Sequence, residues 1–202
     1  MLSNGALITL HRKDMDLLDF NYNMNVMDIL IAQGAGAICS HIDIINRYKA
    51  KLFVELGMYM GGTLPHVIPN LVLDPSFTYI GFEILPGAVK PSIIAFAANQ
   101  PNCHVIIEDM FTNANLQRIR DCINGTNGAV YILCDGGNKP KELLTFSKML
   151  RVGDIISVHD YTDDQTGEIR DVDLAQIVDD FVFLDEKWRK DILWLPTFIK
   201  IK

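Results

Sequence analysis

Phe53-Val54-Glu55-Leu56-Gly57-Met58-Tyr59-Met60-Gly61-Gly62-Thr63 decides how this chain folds. A short apolar run of β type carries an acid near its end. A glycine-spaced turn follows, and Thr63 and Pro65 then suit the first turn of a helix. Strand, glycine turn and helix start in that order hold a nucleotide-type ligand at the first strand of a doubly wound α/β sheet. Glycine lets the backbone approach the ligand, and the helix start offers unpaired N–H groups. The spacing chooses between ligands. A dinucleotide fold uses G-x-G-x-x-G, whereas the pattern here is E-x-G-x-x-x-G-G-T.

Downstream of this turn, strand-like and helix-like stretches alternate. Strands are expected at Tyr79 to Phe82, His104 to Ile107, Ala129 to Cys134 and Ile155 to Val158. Helices are expected at Ala88 to Asn99, Asn115 to Ile123 and Lys141 to Leu150. Near-continuous apolar strands between helices predict a parallel sheet covered on both faces. The tail differs. Val172 to Asp180 reads as a helix, and Phe181 to Leu184 and Ile192 to Ile201 read as two strands forming an antiparallel pair at one edge.

Upstream, residues 1 to about 50 have another character. Leu7 to Leu10 reads as a short strand or arm, and Asp14 to Asn25 is polar with Phe20 and Tyr22 within it. Asn25 to Gln33 has helical spacing at Val26, Ile29 and Leu30. Gly34 and Gly36 break that helix, and Ser40 with Asp43 resembles a capping box for a second one ending near Lys51. Residues 1–50 are therefore expected to form a helical cap or lid over the remainder, or an oligomer contact, which leaves a homo-oligomer open.

The bulk numbers narrow the function classes. A chain of 202 residues with 49% hydrophobic and 21% charged residues suits a globular α/β domain with a good core. The net charge of −7 lacks the basic footprint of a nucleic-acid binder. Cys39, Cys103, Cys122 and Cys134 form no C-x-x-C pair, so they read as free thiols in a reducing compartment rather than a zinc cluster. No stretch has the length and hydropathy of a membrane span or a secretory leader, so a cytoplasmic protein is expected, with neither membrane nor nucleic acid as partner.

Glu55, Glu83, Asp109, Asp135 and Asp160 all fall at or just past the C-terminal ends of expected strands. In open α/β sheets that edge binds ligands. Glu83 lies at the distance beyond the glycine turn where an acid accepts both hydroxyls of a ribose. Asp109 is placed to accept from an adenine amino group, with Met110 or Phe111 against the ring, although ordinary core packing is the favoured reading of Met110 and Phe111. Asp135 and Asp160 end strands that would be neighbours, so their carboxylates can converge on a hard cation such as Mg²⁺. Asp160 has the alternative of capping the loop that holds Asp163, Asp164 and Gly167.

From Leu52 to about residue 200 these elements resemble the class I S-adenosylmethionine-dependent methyltransferases, and within them the macrocin O-methyltransferase and cephalosporin hydroxylase group. Glu55-Leu56-Gly57 with Gly61-Gly62-Thr63 carries the first motif, Asp135-Gly136-Gly137 the second, and Gly153-Asp154-Ile155-Ile156 with His159-Asp160 the third. The resemblance implies a Rossmann-like α/β fold over residues 51–202, doubly wound, with a seven-stranded, mostly parallel sheet and an antiparallel last strand. It implies S-adenosylmethionine held by Glu55, Gly57, Met58, Tyr59, Gly61, Thr63, Glu83, Asp109, Met110 and Asp135. The reaction implied is methyl transfer to the hydroxyl of a small-molecule acceptor, with Mg²⁺ as an optional helper on Asp135, Asp160 and His159.

The chain departs from the group at two positions. Where the group often has a histidine base, three residues after the strand-four aspartate, Asn138 stands. Where it often has Glu-Asp after strand five, His159-Asp160 stands. His159 is then a metal ligand, the relocated base or a structural histidine. Lys139 would serve as base only with a depressed pKa and otherwise reads as a solvated lysine opening a helix. Two further readings stay open: a cephalosporin-hydroxylase-like reaction on the same fold, and a noncatalytic nucleotide- or S-adenosylmethionine-binding protein, supported by Asn138. A nicotinamide oxidoreductase is disfavoured by the glycine spacing.

Overall fold

The computed structural model describes residues 25–26, 29–30, 35–71, 76–162, 168–184 and 194–202. Among them, β1 (Ala50–Leu56), β2 (Thr78–Phe82), β3 (Cys103–Ile106), β4 (Ala129–Cys134), β5 (Ile155–Val158), β6 (Phe181–Phe183) and β7 (Thr197–Lys200) build one sheet. Its order is β3-β2-β1-β4-β5-β7-β6. The pairs from β3 across to β5 are parallel. β7 runs antiparallel to both its neighbours, so the expected terminal pair exists and its second strand inserts between β5 and the edge. Strand order reverses between β1 and β4, which is where a doubly wound sheet opens a crevice at its carboxyl edge.

The β1 sequence is apolar on both faces because both faces are covered. Phe53 packs with Tyr79 and Tyr131 in the layer beneath α1 (Ala35–Tyr48), α2 (Thr63–Val67) and α3 (Pro91–Ala98). Leu52, Val54 and Leu56 face the opposite layer, with Ile119 and Ile123 of α4 (Asn113–Gly125) and Leu143 and Phe146 of α5 (Lys139–Ser147). Alternation along the strand therefore sends Glu55 into the first layer.

The N-terminal expectations are partly corrected. Asn25–Val26 and Ile29–Leu30 are paired antiparallel strands, not the turns of a helix. Helical spacing over so short a run does not distinguish the two, and a short helix has little stability of its own. α1 begins at Ala35, so Gly36 and Ser40 lie inside it and Ser40 is a buried interior residue rather than a cap. Burial of Ala37, Ile38, His41, Ile44 and Ile45 outweighs the roughly 1 kcal/mol helical cost of one glycine. The expectations for Leu7 to Leu10, Phe20 and Tyr22 lie outside the described residues.

Other boundaries move for local reasons. α3 starts at Pro91, whose ring suits the first helical position. The expected helix to Asp180 is α6 (Asp171–Leu174) continued by turns, and within the described part of the expected strand Ile192 to Ile201 the strand is β7, Thr197–Lys200. Among the described residues no helix is long and apolar enough to cross a membrane.

Candidate functional site

The carboxyl ends of β1, β4 and β5 are stepped by backbone hydrogen bonds. Asp135 N–H donates to Leu56 O at 2.9 Å, and His159 N–H donates to Cys134 O at 3.0 Å. Each strand therefore delivers its terminal residue beside the end of its neighbour. The turn after β1 closes against this edge. Gly57 has φ +88°, and a Cβ there would lie 2.5 Å from Asp135 O, so only glycine lets the turn and the β4 end approach this closely.

Two halves of a site result. The first surrounds Glu83, just past β2. Its Oε2 accepts the Tyr59 N–H at 2.7 Å and its Oε1 accepts the Leu85 N–H at 2.9 Å. Each oxygen retains a further lone pair for a hydroxyl. The carboxylate is buried, yet Tyr59, Ile84 and Leu85 around it are exposed apolar side chains. Tyr59 itself sits in the left-handed region at φ +50°, a conformation uncommon for a bulky residue. A buried carboxyl group rimmed by exposed apolar side chains can accept hydroxyl groups of a ligand that also has an apolar face. Ile84 and Leu85 escaped the sequence reading, because apolar residues after a strand read as core until their exposure is known.

Glu55 is enclosed behind the turn rather than at its surface. Its carboxylate accepts from the Tyr79 hydroxyl and from Thr63. Burial pushes its pKa up to about 8 despite those hydrogen bonds. Met58 is buried against Gly81. Gly61, at φ +83°, packs on Ile93. On the far side, Asp109 is exposed and accepts the Phe111 N–H at 2.8 Å. Met110 is buried in the core, and the Phe111 ring lies near Phe146 with Lys141 Nζ 3.7 Å from its centroid.

The second half is a charged cluster. His159 Nδ1 lies 3.4 Å from Asp135 Oδ1 and 3.0 Å from Asp160 Oδ1. Lys139 Nζ lies 3.6 Å from Asp135 Oδ1, 3.0 Å from Asp160 Oδ2 and 2.6 Å from Glu168 Oε2, and donates to Gly136 O at 3.2 Å. Asp160 holds φ +59°, a strained conformation for a non-glycine residue that its two cationic neighbours help to fix.

The proton positions follow from these contacts. Burial alone would lower the His159 pKa, but the Asp135 charge and hydrogen bonds to Asp135 and Asp160 raise it to about 10. Burial likewise opposes the Lys139 charge. The hydrogen bond to Glu168 and the charges of Asp135 and Asp160 outweigh it and hold the ammonium above its ordinary value. Asp160 is held well below the carboxylate range, chiefly by its hydrogen bond from His159. Lys139 is thus neither the solvated lysine nor the low-pKa base considered from the sequence. Asn138 caps α5, its side chain accepting the Lys141 N–H at 3.2 Å.

Sequence reading also missed Glu142 and Glu168. Glu142 accepts the Gly136 and Asn138 N–H groups and so fixes the loop that carries Asp135. An acid in the first turn of a helix ordinarily reads as solvent-facing. Asp154, part of the third motif, lies away from this edge. It accepts from Val130 N–H and from the Arg151 backbone and guanidinium, tying the starts of β4 and β5 together.

Asp135, His159 and Asp160 each offer a ligand atom, and those atoms lie within 4.8 Å of one another. As a Mg²⁺ site the set fits poorly. One donor is imidazole, where Mg²⁺ prefers oxygen, and the Lys139 ammonium already lies among the carboxylates.

Comparison with solved structures agrees with this architecture. The CmcI protein with Mg and SAM superposes at TM-score 0.68 with 13% identity, over 89% of this chain and 77% of the other. A putative methyltransferase from Thermobifida fusca gives 0.58 at 13% identity, over 82% and 79%. The O-methyltransferase TomG from Streptomyces achromogenes, in complex with SAM, gives 0.51 at 12% identity, over 97% and 93%. No protein-family profile matches the chain, and no curated protein does. The chain has the Rossmann-like fold of the class I methyltransferases, with the seven-stranded mixed sheet that the sequence resemblance implied.

Proposed function

We propose that this chain binds S-adenosylmethionine and transfers its methyl group to the hydroxyl of a small molecule. The observation that carries the reading is the closure of the turn after β1 on Glu83, just past β2, beside the β1–β4 switch point and the charged cluster at the β4 and β5 ends. Glu83 would accept the ribose hydroxyls and Tyr59, Ile84 and Leu85 would flank the adenosine. The sulfonium is already activated, so the remaining work is to align an acceptor oxygen behind the methyl group and to manage one proton. Asp135, Asp160 and Glu168 would accept hydrogen bonds from such an acceptor. The solved structures with SAM support the choice of cofactor by analogy. The cap, lid or oligomer-contact role expected for residues 1–50 stays a proposal, with α1 in that segment packed on the sheet.

A second reading has its own observation. Asn138 is a helix cap, and the carboxylates around Lys139 and His159 raise the pKa of both, so among the described residues of the cluster neither is a ready base. A noncatalytic S-adenosylmethionine-binding protein would share the cofactor half of the site. Adenosylhomocysteine should raise the melting temperature of the wild-type chain, and Glu83→Ala should weaken binding by about 1–3 kcal/mol, the scale of hydrogen bonds to a charged group. Unchanged affinity in Glu83→Ala would remove Glu83 from the site. Binding without methyl transfer to any hydroxyl acceptor would favour the second reading.

A further inference from the structure

We propose that the ammonium of Lys139 is the resident cation of the carboxylate cluster, so that Lys139 and a divalent metal ion exclude one another. The three ammonium hydrogens have three acceptors in place: Gly136 O at 3.2 Å, Asp160 Oδ2 at 3.0 Å and Glu168 Oε2 at 2.6 Å. Asp135 Oδ1 adds a fourth oxygen at 3.6 Å. The lysine side chain is 4% exposed, so it lies within the site rather than reaching over it. Its place on the chain gives the same indication. Lys139 is the first residue of α5, where the helix dipole disfavours a positive charge. A lysine buried at that end needs the three surrounding carboxylates to compensate.

A divalent ion placed on Asp135, Asp160 and His159 would share its carboxylates with that ammonium at a few ångströms, in surroundings where like charges repel strongly. The positive charge that a metal would bring to the carboxyl edge of β4 and β5 is therefore supplied by the chain. This inference concerns the cluster alone. It holds whether or not the chain transfers methyl groups.

The test uses Mn²⁺, which accepts both carboxylate and imidazole ligands and is followed by electron paramagnetic resonance. The full chain is titrated without cofactor as wild type, Lys139→Met and Lys139→Gln. Thermal melts establish that each variant is folded. Glutamine retains a hydrogen-bond donor toward Gly136 and Glu168 and carries the test if the methionine variant does not fold. Both substitutions should tighten Mn²⁺ binding about tenfold or more, because a like charge leaves the seat. Adding Asp160→Asn should abolish the gain. Variants that bind Mn²⁺ no more tightly than wild type would overturn the proposal. So would a gain that survives Asp160→Asn, or wild-type binding already as tight as that of the variants. Adenosylhomocysteine plays no part in this titration, so its outcome is separate from that of the cofactor reading.

Discussion

Glu55 illustrates what burial does to one acid at the carboxyl edge of the sheet. It is 1% exposed, and its carboxyl group holds Tyr79 and Thr63 behind the glycine turn. Burial raises its pKa from 4.5 to about 8, so the folded state keeps a proton that the unfolded chain releases. The stability contributed by that proton is complete below the unfolded pKa and is lost as pH rises through the window up to about 8. Glu55→Gln fixes the neutral form. Across that window wild type should lose stability relative to Glu55→Gln by as much as about 1.4 kcal/mol per pH unit. Urea unfolding at several pH values measures this, and parallel pH profiles for the two proteins would refute a buried, proton-holding Glu55.

At the scale of elements, the strands were legible because each is a short apolar run, and β4 and β5 fall on the residues expected. That Asp135 and Asp160 converge was also legible, since both follow neighbouring strands. The left-handed φ of Asp160 and the burial of Lys139 were not, because both arise from contacts between elements distant in sequence. The start of α1 was misread for the same reason. Local glycines predict a break at Gly36, while the sheet beneath rewards continuing the helix. His41 in α1 contacts Tyr131 of β4 at 2.8 Å between His Nδ1 and the hydroxyl, and Ile44 is fully buried. α1 is therefore a packed layer of the α/β body. Ile44→Ala should lower unfolding stability by about 2–5 kcal/mol, the range for truncating a buried isoleucine. A loss under about 0.5 kcal/mol in denaturant melts, the scale of surface changes, would mean that α1 is only loosely attached.

For the whole molecule, the acids gather where the topology sends them. Parallel strands must all present their carboxyl ends at one edge, and the reversal of strand order between β1 and β4 opens that edge. Two open grooves lie elsewhere, one of about 580 Å³ between α4 and α5 lined by Arg120, Lys141 and Lys148, the other of about 540 Å³ along β3. Neither includes Glu83, Asp135 or Asp160, so the chemistry of the side chains, rather than the size of a hollow, marks the site. Isothermal titration calorimetry of the wild-type chain with adenosylhomocysteine and, separately, with NAD tests the central claim most directly. Adenosylhomocysteine should bind saturably with one site per chain while NAD gives no comparable heat; tight binding of NAD with none of adenosylhomocysteine would overturn S-adenosylmethionine as the cofactor.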